Sequence, residues 1–399
     1  MLVYLIHPEF WNGGAERLMV SIASALLSTG HTVEIYCAHL NPVWKSNSVI
    51  ARCTVHIVCS SWTMDGDWHL QMVAFLWYIL KAGKRPDLVI VDSSAAALPL
   101  LKLFLPKTRL LFYCHHPHHL IAEPLNNLML FYFKFVKLFE RFCLSHADVI
   151  ISNSNYTKEV LHKFMEDSLP NHRSQLLYPC ISPPPKLTSI MAAAARQSGS
   201  MTVLSTFGRF WPSKRMHLIL DAAQYLKRLC KEPFRLNIAG SLDTVMPMSL
   251  AYYETLRKMA EAYKMDVEFI VNASEDCKYQ LLQMSTAILF TPMYEHFGIV
   301  PIEAIYAGTN VIAHDAAGPK ESLSLPSTRH QAHLVKWFSP LAFAEKISDI
   351  VSKRANAHRT SGQQVPADDN STNNLVWPFS EESFCQEFLK LVDDYCHEV

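Results

Sequence analysis

The chain has 399 residues, half of them apolar, and its 36 basic side chains balance 36 acidic ones. That length suits two domains, each able to bury its own core. Zero net charge argues against a general nucleic-acid binder, which carries a basic excess, and no uncharged apolar run approaches the about 20 residues that cross a bilayer.

Residues 2–7 form the first predicted strand, followed by Asn12-Gly13-Gly14 and a helix over 15–28. Short strands are predicted at 32–37, 54–59, 88–92, 110–114 and 149–153, most of them separated by helical stretches. This alternation predicts a parallel sheet wrapped by helices. Leu88-Val89-Ile90-Val91 is continuously apolar, as a strand buried on both faces requires. A break falls at Pro179-Cys180-Ile181-Ser182-Pro183-Pro184-Pro185, where three consecutive prolines can continue neither a helix nor an inner strand. The expected organisation is a domain over 1–182, a linker over 183–200 and a second domain over 201–354, with strands at 203–207, 235–239, 267–271, 287–290 and 310–314. A polar, disorder-prone linker over 355–379 and a helix within 380–399 complete the chain. That last helix is expected to pack back across the domains.

Three segments could bind a ligand. Gly13-Gly14, between a strand and a helix, allows close backbone approach and offers free N–H groups to an anion. An ordinary tight turn is an equally good reading, because the full dinucleotide fingerprint is missing. Arg209 ends a predicted strand at the carboxyl edge of the second sheet, where doubly wound folds bind ligands, and Lys214, followed by Arg215, is expected to open the next helix, with a solvated basic helix start as the plain alternative. Cations are unfavourable at a helix N-terminus, so an anionic ligand such as a diphosphate is the favoured explanation. The third segment is Glu295-His296-Phe297-Gly298-Ile299-Val300-Pro301-Ile302-Glu303. Gly298 permits a tight turn, Pro301 suits a first helical turn, and the new helix would aim its amides at an anion. Glu303 is expected in that first turn, where a carboxylate also suits the helix dipole, and Glu295 lies just before the turn, either as a solvated loop acid or free to reach a sugar hydroxyl.

Two further segments have plainer readings. The histidines of Tyr113-Cys114-His115-His116-Pro117-His118-His119 lack the Asp, Glu or Cys companions of a metal site. One of them facing a binding site is the expectation. In the stretch 125–144, Lys134, Lys137 and Arg141 share one helical face and Phe131, Phe135, Leu138 and Phe142 the next; 68–80 is also very apolar. Such helices lie in a membrane interface or, more commonly, pack on a sheet. The ten cysteines form no zinc-like cluster, and several, among them Cys37, Cys59 and Cys114, sit in apolar runs, as buried thiols of a reducing compartment do. The chain opens on a strand rather than a signal-peptide pattern, so it is expected in the cytosol or on a membrane's cytosolic side.

Taken together, these residues resemble the retaining glycosyltransferases of the GT-B fold, in which two Rossmann-like domains face each other across a cleft. Glu295 and Glu303 match that group's paired glutamates, Arg209 and Lys214 its basic pair, and Gly13-Gly14 its N-terminal glycine loop. Gly13-Gly14-Ala15-Glu16-Arg17-Leu18, Phe112-Tyr113-Cys114-His115, Leu177-Tyr178-Pro179 and the segment from Glu295 to Glu303 are similar to the eukaryotic dolichol-pathway α-1,3/1,6-mannosyltransferases. The resemblance implies α-1,3 and α-1,6 transfer of mannose from GDP-mannose to dolichyl-diphosphate-linked Man-GlcNAc2. It also implies a place on the cytosolic face of the endoplasmic reticulum membrane, with other glycosyltransferases of the pathway as further partners.

It carries these roles over: catalytic His115, Glu295, Arg209 and Lys214, with Arg209 and Lys214 on the diphosphate, Glu295 on the mannose and His115 beside the reacting sugar. Phe297, Gly298 and Ile299 would lend backbone amides, Glu303 would contact the ribose, and Gly13 and Gly14 would lie near the donor. Three positions depart from the family: His116 where an apolar residue is usual, Arg215 where Asn is usual, and Ala316-Ala317-Gly318-Pro319 in place of a more glycine-rich turn. No cofactor and no metal are expected. Asp65-Gly66-Asp67 has metal–diphosphate spacing but falls in a first-domain loop. The alternatives are another lipid-linked transferase of the same fold, such as an α-1,2-mannosyltransferase, or a catalytically silent scaffold, which should have lost these charged residues.

Overall fold

The computed structural model describes residues 1–11, 13–58, 68–117, 127–165, 173–181, 201–230, 232–244, 246–360 and 377–397, with backbone only at 68–73, 127–133, 355–360 and 397. The chain divides into two units, Met1–Cys180 with Pro378–Val399, and Ile181–Trp377.

In the first unit the strands are β1 (Leu2–Ile6), β2 (Glu9–Phe10), β3 (Thr32–Cys37), β4 (His39–Leu40), β5 (Thr54–Ile57), β6 (Leu88–Asp92), β7 (Arg109–Cys114), β8 (Val149–Ser152) and β9 (Ser174–Leu176). The helices between them are α1 (Gly14–Ser28), α2 (Pro42–Lys45), α3 (Trp68–Ala82), α4 (Leu98–Phe104), α5 (Asn127–Leu144) and α6 (Asn155–Phe164). Seven strands form a parallel sheet in the order β5-β3-β1-β6-β7-β8-β9. Alternate residues of β1 serve opposite faces. Tyr4 and Ile6 join a core with Phe75, Leu98 and Leu101, while Val3 and Leu5 join another with Leu18, Ile22 and Leu26 of α1.

The second unit repeats the plan with β10 (Thr202–Arg209), α7 (His217–Leu229), β11 (Phe234–Ser241), α8 (Pro247–Ala262), β12 (Val267–Val271), α9 (Glu275–Met284), β13 (Ala287–Phe290), α10 (Ile299–Tyr306), β14 (Asn310–His314), α11 (Ala317–Ser322), β15 (Ala332–Val335) and α12 (Pro340–Thr360). Its six parallel strands run β12-β11-β10-β13-β14-β15. Both sheets reverse their winding at the first strand, between β1 and β6 and between β10 and β13, and such reversal points are where open α/β sheets bind ligands. The closing helix, α13 (Glu381–His397), returns to the first unit, where Phe384, Phe388 and Val392 complete the core beneath α1.

The sequence reading lacks β2, β4, β9 and β15. The first three are two or three residues long, and β15, Ala-His-Leu-Val, is a half-buried edge strand.

Candidate active site

In the second unit, three chain segments meet at the carboxyl edge around β10 and β13. Arg209 is the exposed last residue of β10. The strand arrives there in close register with β11: Gly208 pairs with Gly240, and a Cβ at position 240 would fall 2.1 Å from the Gly208 carbonyl oxygen. Lys214 does not open a helix, contrary to expectation. It ends a single 3-10 turn, Pro212–Lys214, after which Arg215 takes left-handed backbone (φ 49°) and α7 begins at His217. Pro212 at the start of the turn and the left-handed Arg215 after it account for the delayed helix. The unfavourable dipole therefore does not act on Lys214, and its place has another cause: the Lys214 ammonium is ion-paired with the Glu295 carboxylate. Thr291 Oγ1 also donates to the Lys214 carbonyl at 2.7 Å, tying the same turn to the end of β13.

Glu295 is 28% exposed and Lys214 21%. Burial alone would raise the Glu295 carboxyl; the Lys214 ammonium overrides it, aided by His296 and Arg209, and holds the group below its ordinary value. Past Glu295, Phe297 is buried, and Gly298 (φ 83°) caps α10 in left-handed backbone, with Ile299 as the first helical residue. A Cβ at 298 would lie 3.2 Å from Pro319 and 3.3 Å from Phe290. The loop is also held from below: the Gly318 N–H donates to the Glu295 carbonyl at 3.0 Å, and a Cβ at 318 would fall 2.0 Å from the His296 oxygen. The start of α10 lies on the same sheet edge as Arg209 and Lys214, and the first amides of a helix have no intrahelical partner, a chemistry that suits an anion.

Glu303 is not in the first turn of α10. It is the fifth helical residue, buried, and paired with Lys278 of α9 at 2.6 Å. The expectation put Pro301 and Glu303 together in the first turn, but with the left-handed cap at Gly298 the helix starts at Ile299 and its first turn is complete before Glu303. Lys278 also pairs with Glu275 at 2.9 Å, so one cation serves two carboxylates.

In the first unit, Gly13 has extended backbone and caps α1, of which Gly14 is the first residue. A Cβ at 13 would fall 2.6 Å from Glu16 Oε2, whereas one at 14 would meet nothing within 4 Å. His115 follows β7 at the carboxyl edge of the first sheet. Its Nε2 donates to Asp92 Oδ2 at 3.0 Å and its carbonyl accepts from Asn153 Nδ2 at 2.9 Å. Asp92, the wholly buried end of β6, also accepts at Oδ1 from His7 Nδ1 at 2.7 Å. Burial would push the His7 imidazole down, but Asp92 together with Glu16 outweighs it and raises the group to about 10. Burial would likewise raise Asp92, and His7 with His115 holds it at about 2. His7 is therefore a buried cation beside a buried anion at neutral pH. Sequence reasoning missed His7, Asp92, Asn153, Lys278 and Gly240, and gave no role to Glu16 and Gly318, which it quoted only within longer motifs. The available signal was an acid or histidine ending an otherwise apolar strand run, as at Val91-Asp92 and Ile6-His7.

Among the described residues no group of three or more His, Cys, Asp or Glu side chains is arranged to hold a metal ion. Asp65-Gly66-Asp67, His118 and His119 lie outside the described residues. Nine of the ten cysteines are described, all as free thiols.

A model of group 1 glycosyl transferases matches residues 193–364, and one of glycosyltransferase family 4 matches residues 12–183. A glycosyltransferase from Rickettsia africae is similar in structure, with a TM-score of 0.70 at 17% identity over 100% of this chain and 99% of that one. Anabaena HepE in complex with UDP and glucose gives 0.69 at 16% identity over 99% and 100%. WaaG, a glycosyltransferase of lipopolysaccharide biosynthesis, gives 0.68 at 16% identity over 91% and 96%. Two Rossmann-like units matched by these two models define a glycosyltransferase of the GT-B fold.

Curated relatives narrow the class. The human alpha-1,3/1,6-mannosyltransferase ALG2 is 30% identical over 98% of this chain and 95% of its own length, and that of Yarrowia lipolytica 31% identical over 81% and 79%. The Saccharomyces cerevisiae enzyme is 26% identical over 98% and 84%. The chain belongs to the alpha-1,3/1,6-mannosyltransferase ALG2 family.

Proposed function

We propose that this chain transfers mannose from GDP-mannose, with retention, to dolichyl-diphosphate-linked Man-GlcNAc2, making the α-1,3 and α-1,6 linkages. The observation that carries the reading is the charged edge of the second sheet. Arg209, the Lys214–Glu295 pair and the start of α10 are all present in a chain of mannosyltransferase ancestry, and a silent scaffold has no use for them. In the reaction the bond from mannose C1 to the GDP β-phosphate oxygen breaks while an acceptor hydroxyl attacks C1 from the same face. The hydroxyl proton passes to the departing phosphate. Stabilising that diphosphate is the largest task, and Arg209, Lys214 and the α10 amides supply the charge without a metal.

The acceptor is a lipid, which calls for a membrane surface. No helix among the described residues is long and apolar enough to cross a membrane. On α5, Cys143 and Leu144 enter the core while Phe135, Leu138 and Phe142 stay 64%, 62% and 56% exposed beside the exposed Lys134 and Lys137. An aromatic and basic face of this kind suits the headgroup layer, here of the cytosolic side of the endoplasmic reticulum.

The test is mannose transfer from GDP-mannose to phytanyl-diphosphate-linked Man-GlcNAc-GlcNAc in EDTA, with wild type and Glu295→Ala side by side. Products longer by one and then two mannoses, from wild type alone, are expected. Activity that returns only with divalent metal would overturn the metal-free reading, and absence of transfer under both conditions the acceptor assignment.

A further inference from the structure

We propose that Asp92 and His7 are positioning residues for the transfer reaction. They are the middle of a buried ladder, Glu16–His7–Asp92–His115, that fixes which nitrogen of His115 carries its proton and so how that ring meets a sugar hydroxyl. The inference rests on the mannosyltransferase reading, which places His115 beside the sugar.

The ladder is built from four elements, β1, α1, β6 and β7, around the point where the first sheet reverses its winding. Asp92 ends β6 and is 0% exposed. A carboxylate buried that deeply persists only when paired, and one cation would suffice. Asp92 instead divides its oxygens, Oδ1 to His7 at 2.7 Å and Oδ2 to His115 at 3.0 Å. His7 follows β1, the neighbour of β6, and its Nε2 faces Glu16 Oε1 of α1 at 3.9 Å. Glu16 in turn packs under the Gly13 turn. The ladder thus runs from the glycine loop to His115, whose side chain reaches solvent with 19% exposure.

The chemistry follows from what each group can donate. An ionised carboxylate only accepts, so His115 must present Nε2–H to Asp92. Its Nδ1 is then an acceptor when the ring is neutral and a donor when it is charged, and in both cases it is the nitrogen left for a ligand. The Asn153 bond to the His115 carbonyl, and Tyr113 with its ring centroid 5.0 Å away, hold the residue in place.

The test uses the full chain labelled with ¹⁵N-histidine, with His115→Gln to assign its signals. Long-range ¹⁵N–¹H spectra read which ring nitrogen is protonated. Wild-type His115 should be the Nε2–H form. Asp92→Asn should abolish that preference and lower kcat about 10- to 100-fold, by analogy with loss of the carboxylate behind a metal-bound histidine, with KM for GDP-mannose within about threefold. His7→Gln should act in the same direction more weakly, and it carries both readouts if Asp92→Asn does not fold. Protonation of wild-type His115 at Nδ1, a tautomer indifferent to both substitutions, or a changed tautomer with unchanged kcat overturns the proposal. If the chain does not use GDP-mannose, loss of the Nε2–H form in Asp92→Asn still supports the ladder, and the donor assignment alone falls.

Discussion

Lys214 is fastened to Glu295 by an ion pair, so the ammonium expected to meet a diphosphate is already engaged. An arriving anion must share or displace the carboxylate. Lys214→Ala should therefore cost on the order of 10²–10³ in kcat, as loss of one stabilising donor does. Because the pair is partly exposed, stability should change by less than about 1 kcal/mol. Initial rates and melting curves of the same preparation check this; a large fall in Tm with the rate retained would make the pair structural.

Two of the three family departures fall on left-handed backbone, Arg215 at φ 49° and Ala317 at φ 55°. Asn and Gly adopt that conformation more readily than Arg or Ala. Ala317→Gly should stabilise the chain by about 0.5–1 kcal/mol, the relieved strain less the added chain entropy. Arg215→Asn should be close to neutral, because it also removes the guanidinium from the Phe338 ring at 5.1 Å, an interaction of about 0.5–1 kcal/mol. Urea unfolding of the two variants separates these outcomes.

The conspicuous glycines should differ sharply. Gly298→Ala puts a Cβ on left-handed backbone against Phe290 and Pro319 and should cost about 1–2 kcal/mol, with weaker stabilisation by GDP as the α10 amides are displaced. At the open position, Gly14→Ala should leave Tm unchanged or slightly higher. A rate lost by that variant with Tm intact would mark close approach of a ligand.

The His7–Asp92 pair predicts a pH window. Asp92 is lowered from 3.8 to about 2, so its contribution is present above about pH 4 and lost as pH falls through 2. His7 is raised from 6.5 to about 10, so its contribution is full below about pH 6.5 and lost as pH rises through 10. The Tm deficit of His7→Gln should be largest between about pH 4 and 6.5 and shrink on both sides. A deficit constant from pH 3 to pH 10 would contradict the assignment.

Removing the charges at Lys134, Lys137 and Arg141 should weaken binding to anionic vesicles roughly 100-fold, at about 1 kcal/mol for each basic residue near the surface. Cosedimentation at low and high salt measures it. Unchanged binding would move the contact away from α5.

The sheets were the most legible part of the chain. Strands 88–92, 267–271, 287–290 and 310–314 have the boundaries that their apolar runs predict. The turn at Lys214 and the register of Glu303 were not legible, because each depends on one left-handed residue, Arg215 and Gly298, that periodicity does not reveal. Asp92 escaped for a different reason. Its partners are 85 and 23 positions away, and two histidines and an acid acquire meaning only when parallel pairing brings β1, β6 and β7 edge to edge.

The contribution of Phe384, Phe388 and Val392 to the core beneath α1 sets an order of assembly. Residues 1–180 leave the ribosome first, yet their unit lacks part of its interior until residues 381–397 emerge, after the whole of the second unit has been made. Throughout that interval the apolar flank of α1 must be sheltered by something other than its native partner. A nascent chain stalled before residue 381 should bind chaperones through that flank, and one released past residue 397 should let them go.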